Sequence, residues 1–233
     1  MFLAELFGAM TLIVLGDGVV ANVLLTKSKG QNSGWIVIST GWFLAVMFGI
    51  LVSVVMGGPG SLNPAFQIAD MLRGGNFTAD LMNLLGEFAG AIIGAILVWL
   101  AYLPHWAETE SEGLKLAVFC TAPAIRKPVM NLLTEIIATF MLAFLATAVG
   151  KAAGLAAGNA MLVGAVVWAL GISLGGPTGY AMNPARDLGP RIAHAFLPIA
   201  GKGGSDWAYS WVPVLGPIIG ALLGVIAAAM LFP

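Results

Sequence analysis

The chain alternates long apolar runs with short polar or Gly-rich breaks. A bilayer crossing needs about 20 mostly apolar residues, and the pattern meets that length six times, at 3–25, 35–56, 80–103, 129–149, 155–174 and 211–232. The first run carries Glu5 and Asp17, the second has no charge, and the fourth carries Glu135. The breaks are TKSKGQNSG after the first run, a short loop marked by Lys151, IAGKGGSDWAYS before the last run, and 105–127, the longest polar connection, with Glu108, Glu110 and Glu112. Two pieces fall outside this scheme. LNPAF and GYAMNPARDLGPR each present an Asn-Pro-Ala triplet: Asn63, Pro64, Ala65 and Asn183, Pro184, Ala185. Asn suits an N-cap and Pro the first helical position, so each triplet starts a helix. The first reaches Arg73-Gly74-Gly75 too soon to cross a membrane. We therefore expect re-entrant half-helices at 63–73 and 183–194.

The two halves align. AELFGAM answers TEIIATF, with Glu5 opposite Glu135 at an offset of 130 residues, and LGEFAGAIIGA answers LGPIIGALLGV at the same offset. Gly86, Gly90 and Gly94 thereby match Gly216, Gly220 and Gly224, two small-xxx-small seams suited to close helix packing. Three spans per half is an odd number, so the second half enters the membrane from the opposite side, as an inverted repeat. The expected organisation is one channel domain, 1–233, with repeats at 1–104 and 129–233 joined by 105–128. Non-helical backbone at membrane depth survives only where protein buries it or it lines a wet cavity. The two turns therefore belong on the wall of a pathway near the midplane.

Composition narrows the class. With 59% hydrophobic and 9% charged residues among 233, and a mean hydropathy of +0.95, the chain lies far from soluble domains, which carry roughly 25% charge. A net charge of −1 gives no reason to expect nucleic acid, and the single Cys120 cannot form an intrachain disulfide. The N-terminus lacks a basic region and a small-residue cleavage site, so it reads as the first span rather than a signal peptide. No metal-ligand spacing surrounds His105 or His194, and no nucleophile–base pair, phosphate loop or HExxH occurs. The expectation is no enzyme, no metal and no cofactor.

Half-helices meeting N-terminus to N-terminus bring two positive dipole ends together, and the amides of Asn63 and Asn183 add N–H donors. Donors with positive potential suit neutral hydroxyl-bearing solutes and oppose cations and protons. A lone Asn-Pro-Ala turn would be an ordinary cap; the matched pair favours a pore. An intramembrane Arg is costly, so Arg186 should face water or solute rather than merely pair with Asp187, which we expect to brace a loop. Glu5 and Glu135 hold equivalent positions, which favours accepting hydrogen bonds from the re-entrant loops over a proton relay. Glu87 has Pro217 opposite it and no assigned role, and Asp17 suits either a wide mouth or the interface.

These residues resemble the major intrinsic protein family, and within it the glycerol facilitators. The resemblance runs nearly end to end, through LTKSKGQNSGWIVI, GWFLAVMFG, LNPAF, VFCTAPAIRKPVMNLLTEIIATF and GPTGYAMNPARDLGPR. It implies an aquaporin-like fold of six spans and two half-helices, and a homotetramer with cytoplasmic termini; the compactness of the chain points to a prokaryotic plasma membrane. It also implies a selectivity filter of Trp42, Gly171, Tyr180 and Arg186, with Phe43 the alternative to Trp42. Gly171 stands where water-selective relatives carry His, so the opening should be wider. Tyr180 stands where glycerol facilitators usually carry Phe, and Ser61 replaces a customary His. The implied function is passive diffusion of glycerol and related small neutral solutes, with some water. Water, dihydroxyacetone, urea, hydrogen peroxide or undissociated lactic acid are alternative solutes, and an ion-coupled transporter is the rival class. The implied topology leaves Lys27, Lys29, Lys115, Arg126, Lys127 and Lys202 outside, against the positive-inside tendency.

Overall fold

The computed structural model describes residues 1–153 and 158–232. Among these the six apolar runs are the helices α1 (Phe2–Leu24), α2 (Trp35–Val55), α4 (Phe77–Ala101), α7 (Pro128–Ala153), α8 (Gly158–Leu174) and α10 (Val212–Leu231). The two Asn-Pro-Ala pieces are the short helices α3 (Pro64–Leu72) and α9 (Pro184–Phe196). No strand occurs among the described residues. Among the described residues five helices are long and apolar enough to cross a membrane, and the apolar stretch Ala160–Leu174 of α8 is shorter. Residues 155–157, expected to open that fifth span, lie outside the described residues.

Burial is inverted relative to a soluble protein. Glu5, Asp17, Ser39, Ser53, Glu87 and Thr139 are fully buried, whereas Leu3, Phe7, Phe48, Leu97, Leu133 and Leu223 are exposed. Apolar faces turned outward are stable only against lipid, so the chain is a multi-pass membrane protein with its polar groups turned inward.

Helix α1 packs against α2 and α4, and α7 packs likewise against α8 and α10. Each short helix then reaches across: α3 rests on α10, and α9 on α4. The glycine seams make the tightest of these contacts possible. A Cβ at Gly94 would lie 2.9 Å from the Met10 carbonyl oxygen, and one at Gly224 would lie 2.6 Å from that of Phe140. Only glycine lets the helix backbones approach this closely.

Two expectations need correction. Lys151 does not mark a loop, because α7 continues through it to Ala153. Its Nζ donates to the Phe232 carbonyl at 2.8 Å, and a cation in a last helical turn offsets the negative end of the helix dipole. The connection 105–128 is also more structured than a polar linker. It contains α6 (Glu112–Phe119) and most of α5 (Leu103–Glu108). Trp106 stacks on Phe119 there, with centroids 5.5 Å apart, and buried Lys115 donates to the carbonyls of Ala200 and Gly201 at 2.5 and 2.9 Å.

Candidate functional site

The two Asn-Pro-Ala turns meet, and their side chains cross-link them. Asn63 Oδ1 accepts from the Ala65 N–H at 3.0 Å, and Asn183 Oδ1 accepts from those of Ala185 and Arg186 at 2.9 and 3.1 Å. Each Asn is thus an N-cap. Each amide nitrogen also donates across the junction, Asn63 to the Met182 carbonyl at 2.8 Å and Asn183 to the Leu62 carbonyl at 2.6 Å. An amide carries two hydrogens, so one on each Asn remains for the cavity that both residues line.

This exchange depends on unusual backbone. Leu62 and Met182, directly before the two Asn residues, have φ of 53° and 48°. A left-handed conformation costs a non-glycine residue about 1–3 kcal/mol. The N–H of each strained residue is held by a buried carboxylate. Glu5 accepts from Leu62 at 2.7 Å and Gly60 at 3.1 Å, and also from the Ser53 hydroxyl. Glu135 accepts from Met182 at 2.9 Å, Ala181 at 3.1 Å and the Thr178 hydroxyl at 2.6 Å. Asp187 accepts from the N–H and hydroxyl of Thr121, both at 2.7 Å, and pairs with Arg191 at 2.8 Å. Glu87 accepts from Gln67 of α3 at 2.9 Å.

A single cavity of about 550 Å³ touches both turns. On α2 it is lined by Trp42, Val46, Ile50 and Val54, a four-residue spacing along one helix face that extends about 18 Å at 1.5 Å per residue. Ser61, Asn63, Asn183, Tyr180 and Arg186 also line it. The Arg186 guanidinium lies over the Trp42 ring, 4.0 Å from its centroid. Phe43 instead stacks on Trp168 at 5.8 Å, so of the two aromatics Trp42 is the one at the cavity. Arg186 does not pair with Asp187; its nearest carboxylate is that of Asp17, at 3.6 Å.

Gly171 contributes space, and that space is filled. A Cβ there would lie 2.7 Å from Tyr180 Cζ. Tyr180 itself has φ of 40°. Its ring meets Trp35 edge-on at 5.6 Å, and the Trp35 indole N–H donates to the Gly171 carbonyl at 2.9 Å. The wider opening expected at Gly171 is therefore taken up by the Tyr180 ring.

The profile of the major intrinsic protein family matches residues 1–228. The chain belongs to that family. It is 56% identical over 225 residues to a probable glycerol uptake facilitator protein of Thermotoga maritima, covering 96% of this chain and 95% of that one. It is 49% identical to glycerol uptake facilitator protein 3 of Lactiplantibacillus plantarum, with 96% and 93% covered. Its fold is similar to that of the aquaglyceroporin from Plasmodium falciparum, with a TM-score of 0.85, 27% identity and coverage of 97% and 93%. The all-α, aquaporin-like architecture follows from these likenesses and from the helices above.

Within this major intrinsic protein, several further residues complete the site. Arg191 had a visible signal, since it stands four residues after Asp187 on one helix, a spacing that brings charges together. Gln67 had a weaker one, as a polar residue one turn after Asn63. Trp35 and Thr121 had none, because their partners are distant in sequence. Outside the spans, Lys202 donates to the carbonyls of His194, Ala195 and Leu197 at 2.6–2.9 Å, closing the C-terminal end of α9. Burial draws its pKa below the ordinary lysine value.

Proposed function

We propose that the chain is a passive channel for glycerol and related small neutral solutes, with some water. It works as one channel domain in which the repeats 1–104 and 129–233, linked by 105–128, each contribute a half-helix to the pore, at 63–73 and 183–194. Trp42, Gly171, Tyr180 and Arg186 form the selectivity filter; Glu5, Glu135 and Asp187 support the loops. The observation that carries this reading is the corner formed by Trp42, Tyr180 and Arg186 on the same cavity as two Asn amides. The Trp42 and Tyr180 side chains give an apolar wall for the C–H edge of a polyol, and the guanidinium and amide hydrogens take its hydroxyl oxygens in turn. The half-helix N-termini behind both Asn residues add positive potential that opposes cations and protons. No bond is made or broken, and the solute gradient is the driving force. The setting is a prokaryotic plasma membrane, with cytoplasmic termini and a homotetrameric assembly.

Stopped-flow light scattering on reconstituted vesicles tests the reading. Fast glycerol entry, with Gly171→His reducing it at least tenfold while water flow survives, is the expected result. Fast water flow without glycerol entry in the wild type would reject it. That outcome would favour a narrower water-type pore, a reading motivated by the buried Tyr180 hydroxyl, which has no hydrogen-bond partner among the described residues. Entry that follows an imposed proton gradient would favour a coupled transporter instead.

A further inference from the structure

Asp17 lies in α1, outside both re-entrant loops, and is fully buried. Neither of its carboxylate oxygens has a hydrogen-bond partner among the described residues. Its ion-pair partner is Arg186, whose Nη1 stands 3.6 Å from Asp17 Oδ1 and also lacks a hydrogen bond. The neighbouring Gly16 carries the Trp42 ring directly against its backbone, leaving no room for a Cβ. This contact sets that turn of α1 against the filter. Asp187, the other carboxylate beside Arg186 in sequence, is engaged by Thr121 and Arg191.

We propose that Asp17 is a specificity-determining counter-ion that offsets the charge of Arg186 without consuming its hydrogen-bond donors. A separation of 3.6 Å is too long for a hydrogen bond but short for a Coulomb pair in a partly desolvated site. Arg186 thus keeps its N–H groups for hydroxyl oxygens, while the constriction has little net charge. A bare guanidinium would draw anions into the path, and a bare carboxylate would draw cations. The pair discourages both and leaves selection to hydroxyl geometry. This inference rests on the filter reading of Arg186, and its test separates the two.

The experiment uses vesicles containing the full chain at pH 7, potassium-clamped with valinomycin. Iodide entry is followed by quenching of a trapped dye, and glycerol entry by light scattering. Asp17→Asn keeps the shape and removes the charge. Iodide entry should rise by about tenfold or more, the effect of one uncompensated charge at close range, while glycerol entry changes less than threefold. Arg186→Leu should raise entry of thallium, a monovalent cation read with the same kind of quenched dye. The double variant Asp17→Asn/Arg186→Leu should abolish both leaks. It leaves no unpaired buried ion, so it folds even where Asp17→Asn alone does not. Unchanged iodide entry in folded Asp17→Asn, or a thallium leak as large in the double variant as in Arg186→Leu, would overturn the proposal. If Arg186→Leu moves neither glycerol, water nor ions, the filter reading itself fails.

Discussion

Tyr180 occupies the volume that any side chain at Gly171 would need, with its hydroxyl oxygen 3.0 Å from where a Cβ would sit. The two residues are one device: the absent side chain on α8 admits the aromatic ring of the second re-entrant loop. Its hydroxyl is buried and has no hydrogen-bond partner among the described residues, and leaving such a group unsatisfied costs about 1–3 kcal/mol. Tyr180→Phe should therefore hold or raise the melting temperature in detergent, with glycerol entry equal to or a few-fold above wild type. A clear loss of both would contradict this account. Gly171→Ala should lower glycerol entry, since the ring must shift into the cavity.

The carboxylates beneath the loops predict a different signature. Replacing Glu135 with Gln puts an N–H₂ group where N–H and O–H donors now converge. Each buried donor left unsatisfied costs about 1–3 kcal/mol. Glu135→Gln and Glu5→Gln should both lower thermal stability sharply and reduce water and glycerol flow together. A proton relay would instead leave folding intact and alter only the pH dependence of flux, which is readily measured beside the melting curve.

The buried pair of Asp187 and Arg191 makes a matching prediction within α9. Arg191 donates to Asp187 and also to the carbonyls of Ser205, Asp206 and Thr121. Arg191→Met should cost about 3–5 kcal/mol by orphaning the carboxylate, and detergent melting of the purified variant would read it. Asp187→Asn/Arg191→Met should recover part of the loss.

The glycine seams predict intolerance of bulk. Gly220 faces the Ile136 carbonyl at 2.5 Å from a virtual Cβ. Gly220→Val should therefore cost about 1–3 kcal/mol or more in forced helix separation. Size-exclusion chromatography should show aggregation of this variant, whereas Leu223→Val on the exposed face of the same helix should elute as wild type.

What the sequence by itself determined follows from local composition and period. Six apolar runs of crossing length, two Asn-Pro starts and glycines every fourth residue each state their structure within a few turns, because helix length, capping and backbone approach are set by near neighbours. The end of α7 departs from the local pattern for the same reason. Lys151 suggests a loop locally, but its bond to the Phe232 carbonyl comes from the far end of the chain.

Only the tertiary structure decided which polar groups answer one another. Asn63 donates to Met182, Asp17 faces Arg186, Gly171 makes room for Tyr180 and Thr121 donates to Asp187. None of the first three pairings involves a motif spacing, and all but the third link residues more than 60 positions apart in the chain. In a membrane interior most buried donors and charges find their partners within protein or along a wet cavity. The partners they find depend on how six spans and two half-helices pack, which no local stretch of residues encodes.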